Sequence, residues 1–559
     1  MNLLNQYLPR TDFSSYEDFI ANYRINVPEY FNFGFDIVDT YAEKCPDQTA
    51  LIWCDDHGHE KTFSFSDISA LSNRAANFFV SVGIQKGDTV LMILRRRWEY
   101  WICAVALHKI GAVLIPGSLL LTEKDIVYRA NAADIKAMVC IDDPFVIEQT
   151  EAAIPQINHP VTKILVDQRR DGWLNFEDAV SPMPDTFSVP DTARTKSSDP
   201  FMIFFTSGTT GLPKMVQHSC SYPLGHIVTA KYWQQVQENK LHLSVSDSGW
   251  GKFSWGKIYG QWLCGAVVFS YDMDKFIPSR LLQKMVDYQI TTFCAPPTIF
   301  RFFLQEDLSK YDLSCIKHCC TAGEPLNPEV YYRWKERTGL RLYEGFGQTE
   351  STVLLANFPW FEPKIGSTGK PAPLYHLSLI TQEEKKTESG EEGKIVVTDI
   401  QNVPPPGLFT GYNKNPELTK KALGGAYYNT GDVAWQDEDG YYWFVGRDDD
   451  VIKCSGYRIG PFEVESALIE HPSVVECAIT GAPDPIRGQV VKATIVLAKG
   501  YHPSKELIVE LQNHVKHATA PYKYPRVIEF VDELPKTLGG KIKRAQIRKK
   551  DADSYHKKK

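Results

Sequence analysis

The chain carries twelve cysteines, yet no Cys-x-x-Cys pair occurs anywhere in it. That spacing argues against a zinc site and against a disulfide framework, and the expected surroundings are reducing. Long apolar runs are missing as well: no window approaches the roughly eighteen uninterrupted apolar residues of a membrane span. Excess positive charge is missing too. The formal net charge is −7, and the closing run Lys557, Lys558, Lys559 is too short to reverse it, so nucleic acid is not an expected partner. The amino-terminal segment has no apolar core of a signal peptide, and Asp12, Glu17 and Asp18 do not suit an acid-poor transit peptide. The expected compartment is therefore the cytosol. Internal repeats of fixed period are absent, and no low-complexity stretch exceeds Pro404, Pro405, Pro406.

What the chain does have is ordinary globular composition, 43% hydrophobic and 23% charged, over 559 residues. That length exceeds one hydrophobic core and implies about two to four domains or subdomains. Strand-length apolar runs at 89–94, 137–141, 163–166, 266–270 and 394–397 alternate with helix-like segments such as 100–110 and 280–288. The alternation predicts α/β layers with buried, largely parallel strands. The best boundary lies at Gly446 to Asp450, after a Tyr/Trp-rich hairpin around Asp439 and Gly440. A large domain over 1–448 and a small α+β domain over 449–559, with a helix from Pro461 to His471, are the expectation.

Five polar, glycine-bearing segments stand beside apolar strands, where α/β proteins place ligand-contacting loops. The first is Thr206, Ser207, Gly208, Thr209, Thr210, Gly211, Leu212, Pro213, Lys214. Glycines permit positive φ and close backbone approach, hydroxyls and freed N–H groups donate to phosphate oxygens, and the lysine adds charge. It is not the common P-loop, because the four-residue gap and the terminal Gly-Lys-Ser/Thr are absent. The second, Thr321 to Leu326, holds a Gly-Glu-Pro turn that either presents backbone to a flat ring or is a plain turn. The third, Tyr343 to Glu350, offers an aromatic between two glycines to stack on a base. Its Gln348, Thr349 and Glu350 add hydrogen-bonding groups and one hard oxygen, enough for Mg²⁺ when substrate phosphates complete the shell. The fourth, Tyr428 to Asp432, places a carboxylate suited to ribose hydroxyls in a turn. The fifth, Leu534 to Lys543, has a Gly539-Gly540 pair able to carry Lys541 into a site.

In order and spacing these segments resemble the motifs of the adenylate-forming superfamily, from about Phe35 to Arg544. Within it the chain looks most like medium-chain acyl-CoA synthetases, and next like acetyl-CoA synthetases, on the segments 113–117, 121–126, Ser246 to Trp250 and Ile452 to Leu468. The resemblance implies an ATP-dependent carboxylic acid–CoA ligase. Such an enzyme makes an acyl-AMP with release of pyrophosphate, then passes the acyl group to CoA. ATP, Mg²⁺, CoA and a small carboxylic acid are the implied ligands, and both monomer and homodimer stay open.

By the same resemblance Thr206 to Lys214 holds the β- and γ-phosphates, Thr349 reaches the α-phosphate and Glu350 binds Mg²⁺. Gly323, Glu324 and Pro325 with Glu344, Gly345 and Phe346 form an adenine slot, continued by Gly347 and Gln348. Asp432 takes the ribose, and Arg447 and Arg458 approach ribose or phosphate. Lys541 bridges the carboxylate and phosphoryl oxygens, Asp449 is the hinge, and the CoA thiol enters beside Gly456 and Lys453. Trp250 and Gly347 line the acyl pocket, and a glycine where acetate-specific relatives carry tryptophan implies room for several methylenes. Arg95 to Arg97 either meet the CoA phosphates or form a solvated basic turn. Two other readings stand beside the ligase: an adenylation enzyme loading a carrier protein, and an inactive acyl-nucleotide-binding homologue.

Overall fold

A computed structural model describes residues 3–206, 212–401, 404–454, 457–485, 487–536 and 542–557. Two large mixed sheets organise the first four hundred residues. The nine-stranded sheet runs in the order Lys370–Pro371, Val353–Ala356, Leu342–Gly347, His318–Ala322, Thr292–Ala295, Leu241–Ser244, Val267–Asp272, Thr49–Asp55, Glu60–Ser64. Its centre, from Leu342–Gly347 to Thr49–Asp55, is parallel, and both margins are antiparallel. The central strand burials are continuous rather than alternating, as expected where helices cover both faces.

In the eight-stranded sheet, Thr89–Ile93 lies between Val113–Pro116 and Ile135–Ile141, all parallel. One margin is a hairpin of Pro200–Thr206 with Lys214–Ser219, on which the two-residue strand Gly411–Tyr412 is laid antiparallel. Helices fill the faces. Glu99–Ile110 is buried along its whole length and ends at Gly111, whose positive φ makes the left-handed cap. Phe65–Ser81 starts with a reciprocal cap between Ser64 and Asp67.

One expectation is corrected here. The run 394–397 belongs to no parallel layer; it lies in strand Gly393–Thr398 of a four-stranded antiparallel sheet with His376–Ile380, Tyr427–Gln436 and Tyr442–Arg447. The last two strands are the anticipated Tyr/Trp-rich hairpin. A separate five-stranded sheet follows from Ile452, with helices Pro461–Ile469 and Lys505–Ala518 packed on a core of its own. Among the described residues no helix is long and apolar enough to cross a membrane.

Candidate active site

The site grows from the end of the parallel strand Leu342–Gly347 and the turn that follows it. Gln348 is held from three directions. Its Nε2 donates to Thr430 O at 2.7 Å and to Asp432 Oδ2 at 2.5 Å, while the Tyr428 hydroxyl donates to its Oε1 at 2.8 Å. The Thr349 carbonyl accepts from His218 Nε2 at 2.7 Å. A carbonyl can only accept, so that nitrogen carries the proton, and burial pushes the imidazole down to about 4. His218 is therefore a neutral donor at physiological pH. Glu350 is fixed through its backbone by Phe409 N–H at 2.8 Å and through Oε1 by the Tyr412 hydroxyl at 3.1 Å.

Across the cleft the hairpin register sets Asp432 opposite Arg447. The buried Asp432 carboxylate meets Arg447 Nη1 at 3.4 Å, and the same nitrogen donates to Thr430 O at 3.1 Å. Gly431 permits that approach: its φ is +74°, and a Cβ there would sit 2.8 Å from Arg447 Nη2. Thr206 and Lys214 are Cα partners closing the hydroxyl-rich hairpin, and the Lys214 ammonium stands 5.4 Å from the Tyr412 ring centroid. Ser207, Gly208, Thr209, Thr210 and Gly211 lie outside the described residues, as do Gly456 and Lys541.

The adenine-slot residues fall on adjacent strand ends. Gly323 has φ +99° and open space where a Cβ would be, so backbone and not side chain faces the opening. Glu324 Oε2 accepts from Thr298 at 2.8 Å, beside the half-buried Pro325. Glu344 does something the sequence did not suggest. Its carboxyl is buried, accepts a hydrogen bond from the Leu326 backbone, and is pushed up to about 8 by desolvation. It buttresses the Gly323 to Pro325 turn from beneath. Phe346 is half-buried and leans on Phe444, with centroids 5.8 Å apart.

Glycines at 345 and 347 are needed by two tryptophans. A Cβ at Gly345 would lie 2.5 Å from Trp233, and one at Gly347 would lie 2.3 Å from Trp255 and 2.5 Å from Thr352 O. On the side where a Cβ of Gly347 would point, the edge of the Trp255 indole stands against the glycine. Trp250 caps the helix Gly251–Gly256, and a Cβ on Gly251 would come within 3.9 Å of Thr349. Sequence reading missed Trp255, although it lies one helical turn past Gly251. It also missed Tyr412, His218 and Trp233.

Residues of the small unit reach the cleft from its edge. Arg458 pairs with Asp448 at 3.5 Å and Glu392 at 3.6 Å, and its Cα partner is the exposed Lys453. Asp449 faces Arg447 Nε at 3.8 Å. Arg95 to Arg97 are part-buried and partnered within the protein rather than forming a solvated basic turn. Arg95 pairs with Asp272 at 2.7 Å and Asp274 at 3.0 Å, Arg96 donates to Met273 O at 2.6 Å, and Arg97 pairs with Glu99 at 2.6 Å and Asp167 at 3.2 Å. Arg95 and Arg97 are held in ion pairs, and Arg96 chiefly by a backbone carbonyl.

The profile of the AMP-binding enzymes matches residues 38–412, and that of the AMP-binding enzyme C-terminal domain matches residues 463–541. The chain belongs to the AMP-binding enzyme family. It is 42% identical to the mitochondrial acyl-coenzyme A synthetase ACSM3 of Pongo abelii, over 97% of this chain and 93% of the relative. It is 44% identical to the human mitochondrial ACSM4 enzyme, over 95% of this chain and 93% of the relative. The solved anthranilate CoA ligase AuaEII with anthranoyl-AMP superposes with a TM-score of 0.85 at 29% identity, covering 95% of this chain and 99% of the ligase. The chain is an AMP-forming acid–CoA ligase that uses ATP and CoA. The cytosolic expectation is corrected by the same findings, since these relatives are mitochondrial enzymes. The expectation rested on Asp12, Glu17 and Asp18 and on cysteine spacing, and unpaired cysteines do not single out the cytosol.

Proposed function

We propose that this ligase activates short- to medium-chain carboxylic acids, with residues 1–448 gripping the nucleotide and residues 449–559 turning about Asp449 between two half-reactions. One observation supports the site assignment: the turn Gln348 to Glu350 is tied by hydrogen bonds to Asp432, His218 and Tyr412, Asp432 pairs with Arg447 at 3.4 Å, and Lys214 stands over the Tyr412 ring, so segments distant in sequence meet at one place. Thr206 to Lys214 takes the β- and γ-phosphates, Thr349 the α-phosphate, and Asp432 with Arg447 the ribose. Gly323 to Pro325 and Glu344 to Gly347 flank the adenine.

Two anions must meet in the first half-reaction, so positioned donors and cations supply most of the stabilisation as the carboxylate attacks the α-phosphate in line. Mg²⁺ fits Glu350. Among the described residues no three His, Cys, Asp or Glu side chains converge, and a single carboxylate completed by phosphate oxygens is the arrangement Mg²⁺ takes. When bound, the ion screens phosphate charge. Lys541 bridges the acid and phosphoryl oxygens, and its withdrawal admits the CoA thiol beside Gly456, with Lys453 and Arg458 at the entrance.

The acyl tail is bounded by Trp250 and Gly347, with Trp255 and Trp233 as the walls behind the glycines. Each methylene buried there is worth about 0.8 kcal/mol until an indole is reached. The test is acid-dependent pyrophosphate release with and without CoA, across straight acids from acetate to decanoate. A maximum between propionate and octanoate, with CoA consumed, is expected. A maximum at acetate, or preference for a phosphopantetheinyl carrier over free CoA, would overturn the reading. In Lys541→Ala, adenylation should fall about 10²- to 10³-fold while thioester formation from preformed acyl-AMP stays within a few-fold.

A further inference from the structure

Tyr412 stands at the proposed phosphate end of the site, between Lys214 and Glu350. It lies on the short strand Gly411–Tyr412, pairs with Val216 on the strand that begins at Lys214, and is 7% exposed. Its backbone N–H donates to Thr419 Oγ1 at 2.9 Å, and its ring packs on Phe409 with centroids 5.0 Å apart. Gly411 lets Thr419 close in, since its φ is +146° and a Cβ would lie 2.6 Å from the threonine methyl. The phenol is therefore immobilised on every side. Its hydroxyl donates to Glu350 Oε1 at 3.1 Å, and its ring stands 5.4 Å from the Lys214 ammonium. A carboxylate oxygen can only accept, so the phenol is the donor in that contact.

The consequence lies in the charges it touches. Lys214 and Glu350 are opposite in sign and flank one ring, yet among the described residues they form no ion pair with each other. Direct contact would satisfy both and leave neither for a ligand.

We propose that Tyr412 is a positioning residue that holds Lys214 and Glu350 apart, the hydroxyl aiming the carboxylate and the ring face carrying the ammonium, so that both charges remain available to a nucleoside triphosphate and its divalent cation. The inference rests on the phosphate and metal roles given to those two residues above.

Two variants separate the two contacts, read by calorimetric binding of ATP in EDTA and during Mg²⁺ titration. Tyr412→Phe keeps the ring and loses the hydroxyl. Metal-free ATP affinity should stay within about twofold, while the Mg²⁺ concentration giving half of the tightened binding should rise about 3- to 10-fold. Tyr412→Leu removes the ring, and metal-free ATP affinity should fall about tenfold as Lys214 turns to Glu350. Tyr412→Leu with Glu350→Gln should recover most of that loss, because the competing carboxylate is gone. A merely structural role would not be rescued by a second substitution. Wild-type Mg²⁺ response in Tyr412→Phe, or no recovery in the double variant, overturns the proposal. Glu350→Gln alone is the control for the site reading: if it leaves the Mg²⁺ response unchanged, the metal role of Glu350 fails, while the metal-free arm still decides whether the ring keeps the two charges apart.

Discussion

The two faces of the cleft are built from different kinds of interaction. On the large-lobe side, the turn after Leu342–Gly347 is pegged by hydrogen bonds of 2.5 to 3.1 Å to Thr430, Asp432, Tyr428, His218 and Tyr412. At the junction with the small unit, Arg458 reaches Asp448 and Glu392 at 3.5 and 3.6 Å, Arg447 reaches Asp449 at 3.8 Å, and Lys394 of the large domain reaches Asp448 at 3.8 Å. All of the latter are part-exposed ion pairs, each worth about 0–1 kcal/mol. The Asn327 side chain adds a hydrogen bond from Nδ2 to Ser466 O at 3.2 Å. The first face is preorganised for a charged transition state. The second is made of contacts that can be exchanged for others at little cost, which suits the proposed turning of a unit with its own core.

The largest expected effect tests how rigid the first face is. Glu344 is protonated when folded up to about pH 8, whereas an unfolded carboxyl ionises near its ordinary value of 4.5. Between those values the unfolded chain binds fewer protons, so stability falls as pH rises, by about 1.4 kcal/mol per unit at the steepest. Glu344→Gln should flatten the decline of Tm between pH 5 and 8. Parallel Tm curves for the two proteins would place Glu344 in a wetter site than the structure shows.

Next comes Gly347→Ala. A methyl group 2.5 Å from the Thr352 carbonyl meets backbone, which cannot rotate away, and overpacking of this kind costs about 1–3 kcal/mol. Calorimetry should show a lower Tm, and acid-dependent pyrophosphate release should drop at least tenfold. Smaller still is Trp255→Ala, which removes the ring proposed to close the acyl slot. The preferred acid should lengthen, each added methylene gaining about 0.8 kcal/mol, or roughly fourfold in kcat/KM. An unchanged chain-length profile would move the pocket floor elsewhere.

The contrast between the faces also explains what was legible in sequence. Strands at 89–93, 135–141, 162–166 and 267–272 announce themselves by apolar runs, because parallel strands are buried on both sides. The ligand segments announce themselves by glycine and hydroxyl composition. The pegs do not. Tyr412 meets a carboxylate 62 positions away and His218 a carbonyl 131 positions away, by sheet registers that no local pattern encodes. Trp255 reads as one more apolar residue of a short helix until Gly347 is set against it. Strand Gly393–Thr398 has the apolar run of a core strand, but its partners are hairpin neighbours and not crossover strands.

The smallest effect belongs to the second face, and its smallness is the point. Asp448→Asn removes the shared partner of Arg458 and Lys394, two contacts at 3.5 and 3.8 Å. Tm should change by less than about 1 kcal/mol equivalent, and added salt should mimic the substitution, because part-exposed pairs are screened. If the junction is exchanged during turnover, the two half-reactions should respond unequally: adenylation and thioester formation, assayed separately, should shift in opposite directions by two- to threefold. A loss of several kcal/mol, insensitive to salt, would mean instead that the small unit is cemented to the large one, and that both chemical steps share a single arrangement of the cleft.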